Sequence, residues 1–436
     1  MKIHFIGIGG IGVSALAQYY LSNDHKVSGS DLVSSETTAL LEKKGIKIII
    51  GKHKTKNLSK NTDLVIYSPA VQENNPELKI AKKYKIKCQS YPEALGDLTK
   101  KYFTIAISGT HGKSTTTAMT SLILIKAGLD PTVILGTKLK EFNNSNFREG
   151  KSKYLIIEAD EWKASFLNYF PKIIALTNIE KEHLDYYKDI NHILTTYKKY
   201  ISNLPEKAVL IINKKDKNIL KLKAQFKKLK IKDYSSSPKQ IGKLKRILKV
   251  PGEHNVLNAL TALTIAQTLK ISDKISLKAL SEYKGAWRRF EEQKIEIEDW
   301  KLKIISDYAH HPTEVNATLK AMREKFPNKK IWCIFQPHQY QRTFYLFKDF
   351  VKTFKHAIDK SNINKIIITD IYDVAGREKE NIKKKINSEK LVKEINKPSV
   401  IYLPKQKIIN YLKKNIKGKE IIIIMGAGDI YKIIDN

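Results

Sequence analysis

Apolar and polar residues follow a regular order along the chain. Short runs of β-branched and other apolar residues are each followed by a longer stretch with helical spacing and then by a turn of glycine, asparagine or proline. Strands that alternate with helices in this way are typical of parallel sheets covered by helices. The pattern therefore predicts an α/β fold. The predicted strands are 2–8, 26–30, 102–107, 154–157, 173–176, 208–212, 302–306, 330–335, 365–369 and 420–425, and the clearest helices are 15–21, 116–126 and 255–269.

Glycine- or histidine-rich loops at strand ends divide this pattern into three groups. A length of 436 residues is sufficient for three domains. The predicted domains are residues 1–99, 100–287 and 288–436, and neither boundary falls in a Pro- or Ser-rich linker.

The net charge of +35 raises the question of a nucleic-acid partner. The lysines are scattered, and the chain is also rich in Ile and Asn, which share AT-rich codons with Lys. The densest basic stretch, 214–249, resembles a solvated surface and lacks interleaved aromatic residues. We therefore expect no nucleic-acid partner, and some of the charge draws in anionic nucleotides.

Three features predict a cytoplasmic protein. The two cysteines, Cys88 and Cys333, form no CxxC pair, which fits a reducing compartment. The residues after Met1 lack the three-part layout of a signal peptide. Apolar runs are too short to span a bilayer, so we expect no membrane insertion.

Residues 108–115, Ser-Gly-Thr-His-Gly-Lys-Ser-Thr, predict a phosphate-binding loop. They lie between a predicted strand and a predicted helix, which is the context that such a loop requires. Ile107 stands where a Walker A sequence would have glycine. Lys113 can reach the β- and γ-phosphates of a nucleotide, and the Ser114 hydroxyl can bind Mg²⁺. The middle domain is therefore expected to be P-loop ATPase-like, with a parallel sheet.

A second glycine loop follows the first predicted strand. Gly7, Gly9 and Gly12 have the spacing of a dinucleotide-binding fingerprint, and Asp31 ends the second strand. This loop predicts a Rossmann-like N-terminal domain that holds a pyrophosphate and a ribose. Two nucleotide sites in one chain suggest that one nucleotide is the part of the substrate that the enzyme binds. The other would be the energy source.

Further polar residues follow later strands. Glu158 lies at the carboxyl end of one, where it can complete the Mg²⁺ shell begun by Ser114. A lone histidine such as His183 is usually structural. The loops 307–313 and 336–342 present His, Tyr and Arg side chains, which indicates a docking face for a small anionic substrate. Adjacent histidines at 310 and 311 rarely bind one metal ion.

Taken together and in this order, the motifs resemble those of the Mur ligases of peptidoglycan synthesis. The resemblance covers essentially the whole chain. His111 resembles the member that adds L-alanine and its recycling relative, since later ligases of the pathway typically have Asn at this position. The opening 4–12 is more similar to the alanine-adding member than to the recycling relative. The segments that carry the resemblance are 7–12, 108–115, 158–161, 177–185, 254–258, 287–290, 307–315, 336–343 and 425–430.

The resemblance implies an enzyme of three domains, the last also Rossmann-like. It would join UDP-N-acetylmuramate to L-alanine through an acyl phosphate, with ATP as co-substrate and Mg²⁺ as cofactor, as a monomer or homodimer. The implied UDP-sugar contacts are Gly9, Gly12, Asp31 and Ser68. The implied ATP contacts are Gly109, Thr110, His111, Gly112, Lys113, Ser114, Thr115, His254, Asn255 and Arg289. The implied metal ligands are Ser114, Glu158 and His183, the amino-acid contacts are Tyr308, His310 and Arg342, and the catalytic residues are Lys113, His310, His338 and Arg342.

The chain departs from the family pattern at two places. Gln339 replaces an expected arginine, which leaves glycine or L-serine open as alternatives to L-alanine. Trp162 and Lys163 replace the usual Ser-Asp after the acidic motif. A carbamylated lysine, which some members carry, has no firm position, with Lys198 and Lys199 as candidates.

Three other functions stay open. A recycling ligase of the same family would add a peptide to the sugar nucleotide. A nicotinamide-dependent oxidoreductase would bind its cofactor at the first glycine loop, but this function does not explain the presence of Lys113. A basic P-loop protein that binds nucleic acid leaves the N-terminal nucleotide fold unexplained.

Overall fold

A computed structural model describes residues 1–223, 226, 229–235, 238–297, 300–374, 378 and 380–434. The chain forms two compact units. One contains residues 1–180, 191–238 and 258–280, and the other contains 181–190, 239–257 and 281–436. Among the described residues, none of the helices has the length and apolar character that crossing a bilayer requires.

The first sheet is entirely parallel and belongs to the first unit. Its central strands are buried on both faces, as parallel strands covered by helices should be. Asn75 caps α3, since its side chain accepts the backbone N–H of Glu77 at 2.8 Å. The strands are β1 (Lys2–Ile6), β2 (Lys26–Asp31), β3 (Lys47–Ile50), β4 (Leu64–Tyr67) and β5 (Lys87–Ser90), in the order β3-β2-β1-β4-β5, and the helices are α1 (Ile11–Ser22), α2 (Glu36–Lys43), α3 (Pro76–Lys83) and α4 (Tyr91–Lys101).

The second sheet has seven strands. Six are parallel, but β8 runs antiparallel to β7, which the expectation of a purely parallel sheet missed. Asn143 and Asn144 both adopt left-handed backbone conformations in the connection between these strands. The strands are β6 (Phe103–Ser108), β7 (Thr132–Leu139), β8 (Ser145–Arg148), β9 (Tyr154–Ala159), β10 (Ile173–Leu176), β11 (Val209–Ile212) and β12 (Lys230–Asp233), in the order β12-β11-β10-β6-β9-β7-β8.

Six helices accompany or follow the second sheet. They are α5 (Lys113–Lys126), α6 (Ile190–Ile201), α7 (Lys217–Lys223), α8 (Pro238–Ile247), α9 (Glu253–Thr268) and α10 (Asp273–Glu282). The described residues of the basic stretch 214–249 include α7, β12 and α8.

The third sheet lies in the second unit and has six strands. Its first strand, β13, runs antiparallel to β14, and the other pairs are parallel. The strands are β13 (Glu291–Ile297), β14 (Trp300–Asp307), β15 (Lys330–Phe335), β16 (Lys365–Ile368), β17 (Val400–Tyr402) and β18 (Glu420–Met425), in the order β13-β14-β18-β15-β16-β17.

The helices of this region begin with α11, whose first residue is Pro312, a position at which proline is favoured. The turn at 426–429 leads into a short 3₁₀ segment, Ile430–Ile434. The helices are α11 (Pro312–Lys325), α12 (Tyr340–Tyr345), α13 (Phe347–Asp359), α14 (Glu380–Lys383), α15 (Ser388–Ile395) and α16 (Ile408–Asn415).

The fold class is confirmed as α/β with three sheets. The strands of the three sheets lie within 2–90, 103–233 and 291–425. The domain boundaries at 99 and 287 stay predictions, and residue 99 lies inside α4. Within the first unit, buried polar contacts join the first two sheets, since Gln18 donates to Asn146 at 2.9 Å and Asn146 donates to Ser14 at 2.9 Å.

Candidate active site

The phosphate-binding loop joins β6 to α5 and requires glycine at two positions. Gly109 and Gly112 have φ angles of +130° and +81°, in the region that favours glycine. A Cβ atom on residue 109 would clash with Thr177, and one on residue 112 would clash with Asn258. These glycines let the backbone close tightly, which leaves its N–H groups at the start of α5 for phosphate oxygens.

The end of β10 holds this loop in place. Asn178 accepts the backbone N–H of His111 at 2.9 Å through its side chain and that of Thr110 at 3.0 Å through its carbonyl oxygen. Thr177 donates its hydroxyl to the carbonyl oxygen of His111 at 2.6 Å. The Thr110 hydroxyl accepts the backbone N–H of Glu180 at 2.8 Å. Four hydrogen bonds thus fix the conformation of the loop.

Lys113, the first residue of α5, is surrounded by oxygen atoms. Its Nζ donates to Glu161 Oε2 at 2.9 Å and to the carbonyl oxygen of Gly109 at 2.6 Å. Burial alone would lower the pKa of Lys113, but the carboxylates of Glu161 and Asp160 outweigh it and the pKa is raised. Lys113 therefore carries a full positive charge in the site.

Ser114 and Glu158 lie together at the carboxyl ends of β6 and β9. The Ser114 hydroxyl donates to Glu158 Oε2 at 3.0 Å, and Glu158 Oε1 accepts the backbone N–H of Gly136 at 2.5 Å. A hydroxyl and a carboxylate are oxygen donors of the kind that Mg²⁺ prefers. This pair fits the predicted metal site. Thr115, the next residue, is buried in the first turn of α5.

The predicted UDP-sugar residues meet at the carboxyl edge of the first sheet. Gly9 donates its backbone N–H to Asp31 Oδ2 at 2.8 Å. Ser68 follows β4, donates its backbone N–H to Ile6 and accepts the N–H of Ala70 at 3.3 Å. Gly12 lies in the first turn of α1. This is the edge where ligands bind in open parallel sheets.

A second cluster belongs to the other unit and centres on Arg342. Its Nη2 and Nε donate to Glu182 Oε1 at 2.7 and 3.0 Å. Both side chains are 8% exposed. Burial alone would raise the pKa of Glu182, but Arg342 holds it well below its usual range. The guanidinium is therefore charged and fixed in orientation.

The tautomer of His338 follows from Arg342. Arg342 Nη1 lies 2.9 Å from His338 Nδ1, and a guanidinium can only donate. His338 Nδ1 therefore accepts, so the proton of the neutral ring is on Nε2. The His338 ring also stacks on that of Tyr372 at 5.5 Å.

His310 has the opposite tautomer. Its Nδ1 lies 3.0 Å from the carbonyl oxygen of Tyr308 and 3.2 Å from Glu314 Oε2, and both of these oxygens only accept. Nδ1 therefore carries the proton, which leaves the Nε2 lone pair free to accept one. Burial lowers the pKa of His310 to about 4, so the ring is neutral at neutral pH. Its centroid lies 5.8 Å from that of His338.

A small pocket of about 10 Å³ adjoins Arg342. Gln339, which replaces an expected arginine, helps to line it, together with Glu182, Asp185 and Tyr345. Gln339 has φ +73° and ψ 131°, a conformation that is strained for any residue with a side chain. Such strain concentrates at ligand sites, which draws attention to this pocket.

Two of the implied ATP contacts, His254 and Asn255, lie at the start of α9. Burial lowers the pKa of His254 to about 4. Asn255 donates its side-chain amide to the carbonyl oxygen of Pro251 at 2.7 Å. Arg289 lies over the Tyr308 ring at 5.0 Å and 4.0 Å from Glu314. Its neighbour Arg288 is only 3% exposed and donates to the carbonyl oxygens of Gly426 and Gly428, so it is a structural residue of the third sheet.

His183 belongs to the second unit, whereas Ser114 and Glu158 belong to the first. Its backbone N–H donates to Glu182 Oε1 at 3.1 Å and its φ is +53°. The structure therefore brings together two of the three predicted metal ligands, and the role of His183 stays a prediction.

Sequence reasoning missed several polar residues of both clusters. Glu161, Glu182 and Glu314 orient Lys113, Arg342 and His310, and Asn178 holds the phosphate loop. Each of these residues lies in one of the segments 158–161, 177–185 and 307–315, which follow predicted strands. That position was the only indication in the sequence that they belong to a site. The pairing itself depends on the tertiary structure.

Comparisons with known proteins cover nearly the whole chain. Residues 2–103 match the family described as "Mur ligase family, catalytic domain", residues 107–266 match "Mur ligase middle domain" and residues 288–428 match "Mur ligase, glutamate ligase domain".

Two full-length relatives are similar at the level of sequence. The UDP-N-acetylmuramate–L-alanine ligase of Acetivibrio thermocellus is 42% identical over 99% of this chain and 94% of that protein. The protein of the same name from Clostridium acetobutylicum is 40% identical over 99% of this chain and 96% of its own.

Solved structures agree with this similarity. The crystal structure of the UDP-N-acetylmuramate-alanine ligase from Thermotoga maritima has a TM-score of 0.77 and 28% identity, and covers 99% of this chain and 96% of its own. A murein peptide ligase from Psychrobacter arcticus has a TM-score of 0.74 at 23% identity, over 100% and 97% of the two chains, and supports the fold.

Proposed function

The chain belongs to the Mur ligase family, and we propose that it joins the carboxylate of UDP-N-acetylmuramate to the amino group of L-alanine in an ATP-dependent reaction. The observation that carries this proposal is the 42% identity to a ligase of that name over 99% of the chain. The ordered loop around Lys113 and the cluster around Arg342 supply groups for the two halves of the reaction.

The first half forms an acyl phosphate. A carboxylate oxygen of the sugar nucleotide attacks the γ-phosphorus of ATP, the bond to the β–γ bridging oxygen breaks, and ADP leaves. Two anions must approach each other for this step. The loop N–H groups and the charged Lys113 offset the repulsion. Glu161 supports this role because it holds the Lys113 ammonium group in the loop.

We assign Ser114 and Glu158 as residues that would hold Mg²⁺, with His183 as a further candidate. When bound, the ion would supply positive charge to the phosphate oxygens. The oxygen donors of the two paired side chains, 3.0 Å apart, support this assignment.

The second half forms the amide. Arg342 is charged and oriented, and we assign it to the carboxylate of the amino acid. Nε2 of His310 accepts a proton from the incoming ammonium group, so that the free amine attacks the acyl carbon and phosphate leaves. His338 carries its proton on Nε2, so it could donate a hydrogen bond to an oxygen atom of the substrate. The tautomers support His310, rather than His338, as the base.

We further propose a cytoplasmic enzyme that is a monomer or homodimer and has no nucleic-acid partner. Both cysteines are unpaired thiols, which supports a reducing compartment. The assignments of His254, Asn255 and Arg289 to ATP, and of Gly9, Gly12, Asp31 and Ser68 to the UDP-sugar, belong to the same proposal.

The test is release of phosphate from ATP with UDP-N-acetylmuramate and one amino compound at a time. We expect release with L-alanine, and release with glycine or L-serine would show the looser selectivity that Gln339 suggests. No release with any of the three would contradict the proposed function. Release with a tripeptide alone would assign the chain to the recycling reaction instead.

A further inference from the structure

Glu77 is a fully buried carboxylate in the first turn of α3, with 0% of its surface exposed. Four side chains donate to it. Ser30 Oγ lies 2.6 Å and His4 Nε2 3.1 Å from Oε2, and Asn57 Nδ2 lies 2.7 Å and His53 Nδ1 3.0 Å from Oε1. Burial alone would raise the pKa of Glu77, but these hydrogen bonds lower it to about 2. The carboxylate is therefore ionised.

Stability alone is a weak reason for this arrangement. Burial of a charge costs free energy, and an apolar group of similar volume often serves a core as well or better. The donors come from β1, from β2, from the loop after β3 and from the 3₁₀ segment Thr55–Asn57. An ionised carboxylate that ties four chain segments together specifies their relative positions.

One of the donors also holds the glycine loop of the first sheet. The carbonyl oxygen of Ser30 accepts the backbone N–H groups of Gly7 at 2.8 Å and Ile8 at 3.1 Å. The next residue, Asp31, accepts the N–H of Gly9. Ser30 therefore contacts Glu77 through its hydroxyl group and the loop through its carbonyl oxygen.

His53 lies at the same edge of the sheet, beyond the end of β3. Its Nδ1 is 3.3 Å from Ser30 Oγ as well as 3.0 Å from Glu77. Because Glu77 accepts the Nδ1 proton, the carboxylate also fixes the orientation of this ring. Nε2 of His53 has no hydrogen-bond partner among the residues that the structure describes.

We infer that Glu77 is a positioning residue for the nucleoside diphosphate of the sugar substrate. It acts through Ser30, which holds the glycine loop and precedes Asp31, and it orients His53 at the same edge. The inference rests on the proposed function, since it concerns the same UDP-sugar site. Glu77 itself is too deeply buried to touch the ligand, so its effect is on the shape and rigidity of the edge that binds the nucleotide.

The test compares Glu77→Gln with wild type, with UDP as the probe in calorimetry. The amide keeps the volume but loses one acceptor oxygen and the charge. We expect the Kd for UDP and the KM for UDP-N-acetylmuramate to rise roughly tenfold, with kcat and the KM values for ATP and L-alanine within about twofold of wild type. A merely structural role would change all of these values together, or none of them.

Asp63→Asn is the matched control. Asp63 lies at the opposite edge of the same sheet, where it accepts the backbone N–H of Lys2 at 2.6 Å. We expect this variant to bind UDP as wild type does. If Glu77→Gln does not fold, Ser30→Ala removes only the hydroxyl link and should raise the Kd for UDP in the same direction.

Folded variants that bind UDP with the wild-type Kd would overturn this inference and leave the proposed function standing. Equal increases in the KM values for all three substrates would also overturn it. Wild-type protein that does not bind UDP at all would contradict the proposed function as well.

Discussion

Lys113 Nζ and Glu161 Oε2 lie 2.9 Å apart, so the lysine of the phosphate loop is paired with a carboxylate. The pair is largely buried, with exposed fractions of 15% and 3%. This contact fixes the position of the ammonium group, and a fixed group lowers the entropic cost of the reactive arrangement.

Loss of Lys113 should reduce turnover severely. We expect Lys113→Ala to reduce kcat by at least about 10²–10³, the range seen when one charge-stabilising group is removed from an active site. Glu161→Gln should cause a smaller loss because the amide oxygen can still accept from Lys113. Phosphate release measures both effects. UDP binding by calorimetry is the control, and weakened UDP binding in Lys113→Ala would contradict a role confined to ATP.

Ser114→Ala should increase the Mg²⁺ requirement. The variant removes the hydroxyl group that lies 3.0 Å from Glu158, so the proposed metal site loses one oxygen ligand. We expect the Mg²⁺ concentration that gives half-maximal activity to rise roughly tenfold. A Mg²⁺ titration of phosphate release measures this change. Ser121→Ala is the control, since Ser121 lies on the same helix and donates to the carbonyl oxygen of Ala118 at 2.8 Å. An unchanged Mg²⁺ dependence in Ser114→Ala would argue against this ligand.

His310 and His338 should differ in their effect on kcat. If His310 Nε2 accepts the amine proton, His310→Ala should lower kcat by about 10²–10⁴ and partly recover at high pH, where more of the amino acid is already unprotonated. Since the pKa of His310 is about 4, its protonation should not limit the wild-type rate above pH 6. His338→Ala should act mainly on KM. Profiles of kcat against pH distinguish the two, and equal profiles would reject the tautomer assignment.

Arg342→Lys should weaken the binding of the amino acid. Lysine keeps the charge but loses the two donors that now contact Glu182 and the one that fixes His338. We expect the KM for L-alanine to rise about tenfold or more and the KM for ATP to stay unchanged. Initial rates at varied L-alanine measure this, and a rise in the KM for ATP alone would place Arg342 elsewhere in the reaction.

Burial of neutral His254 should make folding stability depend on pH. The folded pKa of about 4 lies below the ordinary value of 6.5, so the unfolded chain binds more protons between these values. The free energy of unfolding is therefore highest above pH 6.5, where His254 is neutral in both states, and it falls as the pH falls towards 4. Between pH 7.5 and 5.5 we expect it to fall by about 1 kcal/mol. Denaturant unfolding at the two pH values measures it. His254→Asn should reduce this difference, and an unchanged difference would show that His254 is not its source.

The sequence predicted the parts of the fold that depend on local pattern. Strands such as Ile173–Leu176 and Lys330–Phe335 end where expected because continuous apolar runs with polar ends admit few alternatives. The antiparallel strand β8 was missed, since Ser145–Arg148 is short and contains only one apolar residue. Its position depends on its contacts with β7 and α1, which local sequence does not encode.

The same distinction applies to the candidate site. Gly109, Lys113 and Ser114 could be found because a phosphate loop is contiguous in sequence. Glu182 could not be assigned, because its partner Arg342 lies 160 residues away along the chain. The tautomers of His310 and His338 likewise depend on oxygen and nitrogen atoms that only the folded chain brings near.

The closeness of Gly112 to Asn258 also constrains how the sequence can vary. Any side chain at position 112 would occupy the space of the Asn258 amide, which in turn accepts the Thr116 hydroxyl at 3.3 Å. Positions 112 and 258 should therefore coevolve, so that a library that randomises the phosphate loop alone will recover only glycine at 112. Tolerance of another residue there would first require a smaller side chain on helix α9, 146 positions downstream of the loop.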